Sequence, residues 1–115
     1  MKKVSNVVYM VKRGLTQTCY GFFNTLANPT RLAILEALRE KDMTVGEVAE
    51  ALGQQQSMIS HNLKPLEKCK FIYSEKQGKS KLLKLNHETV GALFDTVDRH
   101  AQNHCPWKGN CPDSR

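Results

Sequence analysis

Thr44–Lys68 reads TVGEVAEALGQQQSMISHNLKPLEK and divides into two short helices at a sharp turn. Thr44 and Glu47 have the T-x-x-E spacing of a capping box, in which each side chain accepts from a backbone N–H that the helix start leaves unpaired. Val45, Val48, Ala49 and Leu52 then share one face, and Gly53 supplies the stop. A second helix is predicted from about Gln55 to Lys68, buried through Ile59, Leu63 and Leu66. Pro65 lies inside it, removes one hydrogen bond, and predicts a kink in the last turns. Gln56, Ser57, Ser60, His61 and Lys64 are left on the other faces.

The flanks extend this pair into a fold. Phe71–Lys76 and Lys81–Leu85 have strand content around Gln77-Gly78, the pattern of a hairpin. Upstream, Asn28-Pro29 marks a helix start, because Asn caps well and Pro suits the first helical position. Leu32, Leu35 and Leu38, with Ile34 beside them, are its expected apolar face. Ser5–Leu26 reads as largely helical, and His87–His104 as a closing helix with Val90, Leu93, Phe94 and Val97 on one side. The predicted class is α+β and mostly helical: a winged helix-turn-helix over residues 1–104, flanked by N- and C-terminal helices, with a cysteine-containing tail over 105–115.

At 115 residues the chain suits one core, and no apolar run approaches the roughly 18 residues of a membrane span. The N-terminus shows no secretory pattern, so a cytoplasmic protein without membrane contact is expected. The net charge is +6, unevenly spread. Between Gln54 and Asn86 there are seven lysines and two acids, a field suited to a polyanion. Lys76, Lys79, Lys81 and Lys84 crowd the hairpin, where like charges repel unless an anion lies between them. An edge strand can carry lysine simply to avoid aggregation. Beside a helix bearing Gln56, Ser57, Ser60, His61 and Lys64, however, a DNA reader with a phosphate-gripping hairpin is expected. Gln pairs with adenine, Ser with several base edges, and Lys with guanine or phosphate.

Leu26-Ala27-Asn28-Pro29-Thr30-Arg31-Leu32-Ala33-Ile34-Leu35, then Val48–Gly53, Ser57-x-x-Ser60 and Leu63-Lys64-x-Leu66, resembles the ArsR/SmtB family of winged-helix repressors over about residues 22–97. The resemblance implies a homodimer joined by its first and last helices, bound to double-stranded DNA at an imperfect inverted repeat and released by a metal, metalloid or oxidant. Two departures concern DNA reading: Gln55 stands where the family usually has Ser, and His61-Asn62 where it has Arg-His. The family's thiolate site, a Cys-x-Cys, is replaced by Val45-Gly46-Glu47. Its second site aligns with His87, Thr89, His100 and Asn103, of which only the two histidines ligate zinc well, and His104 lies one residue off.

Cys105-Pro-Trp-Lys-Gly-Asn-Cys111 is the remaining sensing candidate. Its two thiols, joined by Cys19 from the N-terminal helix, would suit a soft ion such as zinc, copper(I) or arsenite. Some arsenic-responsive members of the family resemble this in a Cys-x5-Cys pair after the closing helix. Redox chemistry at the same thiols is the alternative, with His100, His104 and Lys108 as activators of Cys105. An unliganded tail is the third reading. Cys69, beside Phe71 and Ile72, reads as a small core residue. A winged-helix protein-interaction module without effector is the rival function. An enzyme is not expected, because no base and orienter accompany Cys105.

Overall fold

The computed structural model describes residues 20–110 and Pro112. Its helices are α1 (Tyr20–Leu26), α2 (Pro29–Glu40), α3 (Val45–Leu52), α4 (Gln56–Lys68) and α5 (Ala92–Asn103). Its strands are β1 (Met43–Thr44), β2 (Ile72–Gln77) and β3 (Ser80–Leu85). Most of the expected Ser5–Leu26 helix lies outside the described residues; only its last part is seen, as α1.

Each boundary has a local cause. The Asn28 side chain accepts from the Arg31 N–H at 3.0 Å and caps α2, with Pro29 next in line. The Thr44–Glu47 capping box is complete, with bonds of 3.2 and 2.9 Å. Gly53 ends α3 in the left-handed region at φ +64°, where an L side chain is strained. Lys70 performs the same service for α4 at φ +63° without being glycine, while the Phe71 N–H reaches back to the Leu66 carbonyl. Pro65 sits inside α4, and the helix continues past it to Lys68.

Thr44 also ends β1, a two-residue strand not expected from the sequence. It pairs antiparallel with β3 (Met43 opposite Leu83), giving a three-stranded sheet ordered β1-β3-β2. β2 and β3 form the expected hairpin in a register that sets Gln77 opposite Ser80, so the turn is Gly78-Lys79. Gly78 has φ +60°, as the first position of a tight hairpin turn requires.

The core joins Ile34, Leu35 and Leu38 of α2 with Val48, Ile59, Leu63 and Leu66, and closes under Phe71, Ile72, Leu83, Leu85, Val90 and Phe94. Two residues expected on apolar helix faces depart from this. Leu32 is 37% exposed, since it lies about 120° around the helix from Leu38; Ile34 takes its place. Val97 is 53% exposed, because α5 runs on past the core after Phe94.

The closing helix also starts differently, with one wide π-helical turn over His87–Gly91 before α5. Asn86 holds that start. Its side-chain amide donates to the Lys70 carbonyl at 2.9 Å and the Tyr73 hydroxyl at 3.3 Å, and its carbonyl oxygen accepts from Thr89 N–H at 3.4 Å. Arg39 ties α2 to α5 by ion pairs to Asp95 and Asp98, and its guanidinium lies over the Phe94 ring. Charge-assisted bonds to Asp98 and then Asp95 hold Arg39 further into its charged state.

Candidate nucleic-acid interface

α4 is positioned from beneath by a polar link inside an otherwise apolar contact. The Arg31 Nε donates to the Asn62 Oδ1 at 3.2 Å, and an Arg31 terminal nitrogen donates to the Thr25 carbonyl at 3.2 Å. The Asn62 amide donates in turn to the Met58 carbonyl one turn earlier, at 3.0 Å. Asn62 is the buried polar side chain of the described core, and no buried side-chain polar atom among the described residues lacks a partner. This link was not foreseen in the sequence. The signal was present: Asn62 falls within the Ile59–Leu63–Leu66 stripe, and a polar residue there needs a partner.

The opposite side of α4 faces outward. Gln56, Ser57, Ser60, His61 and Lys64 are all exposed, as expected. No side chain caps the start of α4 at Gln55, so the Gln56 and Ser57 N–H groups and the positive end of the helix dipole stay open to an anion, while the Met58 N–H bonds the Gln55 carbonyl. That end borders a groove of about 610 Å³ lined by Gly53, Gln54, Gln55, Ser57, Met58 and His61. Met58, 47% exposed there, is a groove residue that the polar pattern of the helix concealed.

A second, more polar concavity of about 320 Å³ lies between α4 and the hairpin. Gln56 and Ser60 line it from the helix, and Lys79, Ser80 and Lys81 from the wing. Gly46 makes room for this approach. A Cβ there would come within 3.3 Å of the Gln56 side-chain nitrogen. Residues about twenty positions apart in sequence thus meet on one face.

The wing lysines are not equivalent. Lys84 pairs with Glu75 at 3.2 Å and Lys81 with Glu67 at 3.5 Å. Lys76 and Lys79 are exposed and have no ion-pair partner among the described residues. Lys76 stands directly opposite Lys81, an unfavourable cross-strand pairing without a nearby anion.

The sensing candidates divide between described and undescribed residues. Cys105 is half-buried after α5, while Cys111 and Cys19 lie outside the described residues. Hydrogen bonds from the backbone N–H of Gly109 and then of Trp107, with smaller help from Lys108, hold the Cys105 thiol below its ordinary range. Gly109 lies within 3.5 Å of Ala101 at an added Cβ, so the tail folds back along α5. The His100 and His104 rings lie 5.6 Å apart, with His87 at the far end of the closing segment. Among the described residues, no three His, Cys, Asp or Glu side chains gather as a metal-binding group. Cys69 is exposed rather than in the core, with its sulfur 3.7 Å from the Thr25 hydroxyl. It follows the end of α4, where the chain turns outward before Phe71 re-enters the core.

The model of the family described as bacterial regulatory protein, arsR family, matches residues 28–74, from the α2 cap into β2. The chain is similar to the HTH-type transcriptional regulator NmtR of Mycobacterium tuberculosis, at 35% identity over 68% of this chain and 65% of that one. It is also 34% identical to the transcriptional repressor SdpR of Bacillus subtilis, over 56% of this chain and 71% of the relative. The chain thus spans a little under two thirds of the length of NmtR. Among solved structures, it is similar to the homodimeric winged helix-turn-helix DNA-binding domain of Mb0332 from Mycobacterium bovis, with a TM-score of 0.72 and 28% identity. That match covers 81% of this chain and 86% of the other.

Proposed function

Because the chain belongs to the arsR family of bacterial regulatory proteins, we propose that it is a cytoplasmic, homodimeric repressor of transcription that binds an inverted-repeat operator in double-stranded DNA. The concavity shared by α4 and the wing carries this reading. Gln56 and Ser60 present base-reading groups beside the Lys79 and Lys81 cations, in the arrangement a major groove flanked by phosphates demands. Ser57, His61 and Lys64 extend the reading face, and Lys76 adds a backbone contact. The Arg31–Asn62 link sets the pitch of α4 against the body of the domain. Dimerisation is supported by the apolar side chains that α1 and α5 leave uncovered, Tyr20, Phe23 and Val97.

For release from DNA we propose an effector that bonds to thiolates, a soft metal or metalloid ion held by Cys105 with Cys111 and Cys19. Zinc, arsenite and copper(I) are the candidate ions. The lowered Cys105 thiol suits a thiolate ligand, and the ion would draw the tail and the dimer helices together. The same activated thiol favours a second reading, oxidation of Cys105. His87, His100 and His104 offer too few strong ligands for a site of their own.

Binding of the reduced protein to duplex DNA across a salt series tests the first proposal. Lys79→Ala with Lys81→Ala should weaken binding for every sequence and flatten the salt slope by roughly one per lost phosphate contact. Unchanged affinity at all salt concentrations would remove the wing from the interface. Adding zinc, arsenite, copper(I) or a mild oxidant to the same assay distinguishes the effector readings, and no response to any of them would end both.

A further inference from the structure

Glu67 lies two turns after Ser60 on the DNA-facing stripe of α4, so its carboxylate stands where the proposed reading surface would meet phosphates. One oxygen accepts from the Ser74 hydroxyl on β2 at 3.4 Å, and the other meets the Lys81 ammonium on β3 at 3.5 Å. A single side chain from the reading helix thus touches both strands of the wing. The hairpin register explains the encounter. Ile72, Leu85 and Leu83 place one face of the hairpin on the core, and Ser74, Lys76 and Lys81 continue that face toward the tip.

We propose that Glu67 is a built-in competitor of DNA phosphate: it occupies Lys81 in the free protein and thereby limits how strongly the wing grips the duplex. This rests on the DNA-binding reading above. The wing does not depend on this pair for its position, because Ile72, Leu83 and Leu85 already bury its base. Lys81 and Glu67 keep 51% and 32% of their side-chain surface exposed, so the pair is the weak, exchangeable kind. A phosphate approaching between Lys76 and Lys81 must take Lys81 from Glu67 and also bear the repulsion of that carboxylate. Both effects reduce affinity without touching a base. The Glu75–Lys84 pair provides the contrast: it lies on the other face of the hairpin, away from α4.

Glu67→Gln keeps the shape and the acceptor for Ser74, and Glu75→Gln changes net charge equally on the opposite face. With a mixed-sequence duplex across a salt series, Glu67→Gln should bind roughly three- to tenfold tighter, with a salt slope steeper by about one. Glu75→Gln should gain less than about twofold, as a distant screened charge does. In a Lys81→Ala background, the Glu67→Gln gain should fall to that of Glu75→Gln. Equal gains from the two variants, a loss with Glu67→Gln, or a gain that survives Lys81→Ala would each overturn the competition. Those outcomes leave the repressor reading standing. Failure of the unaltered protein to bind any duplex at low salt would overturn both.

Discussion

The two ends of the molecule solve opposite problems with the same helical material. From Thr44 to Leu85, the described residues complete their own structure: the α3 start is capped, helix ends are closed, Asn62 is paired, and the apolar faces meet in one core. What faces outward there is mostly short, polar or cationic, with Met58 and Tyr73 as the large apolar exceptions. Along α1, α5 and the turn after α5 the pattern reverses, and Tyr20, Phe23, Val97 and Trp107 stand about half or more exposed. The central half buries most of its apolar surface among the described residues, whereas the flanking helices carry apolar surface that the described residues leave in water. Under the proposed function, the first half would determine what is bound and the second the geometry of binding.

The sharpest way to break this contrast is in the shared core. Ile59→Ala, at a fully buried site beneath α4, should destabilise the fold by about 2–5 kcal/mol, measured by urea unfolding. If the loss were confined to DNA affinity with stability intact, α4 would not be part of the core as described. Val97→Asp should act on the other half alone. It should leave the reading face in place but shift the protein from dimer toward monomer in sedimentation, with operator binding weakened at least tenfold through lost avidity. A dimer that persisted with undiminished affinity would place the association surface elsewhere.

The smallest expected effect concerns the tail. Because its folded-state thiol is held below the ordinary range, Cys105 should alkylate faster than an ordinary thiol at neutral pH. Its backbone contacts should stabilise the tail above the ordinary thiol pKa, with that contribution lost as pH falls through the lowered one. Mass-spectrometric alkylation rates across pH measure this; a midpoint at the ordinary value would remove the special environment of Cys105. In the unfolded chain the rate should revert to that of a simple peptide.

Much of the reading half was legible because its causes are local. A T-x-x-E cap, a stopping glycine and a two-residue hairpin turn each act over a few positions, and the exposure of Gln56, Ser57, Ser60, His61 and Lys64 follows from the buried stripe opposite them. What escaped depends on distant partners. β1 is two residues long and exists only because β3 lies beside it. Arg31 gave no sign of reaching Asn62, thirty-one positions away, and the hairpin lysines looked alike until Glu67 and Glu75 each claimed one. Leu32 and Val97 were misplaced because periodicity identifies an apolar residue without saying whether its own chain supplies the cover. The proposed sensing residues were legible only as residue types, since spacing cannot say whether three sulfurs converge.

Asn86 gives the two halves a common fastening. Its single amide grips the backbone just after α4, the ring hydroxyl on β2 and the first turn leading into α5. The turn just after α4 and the root of the closing helix are therefore bridged by one side chain. A twist applied to α5 from outside would meet the end of α4 through this one side chain. The molecule behaves at that point as a short crank, in which the handle and the blade share one pin.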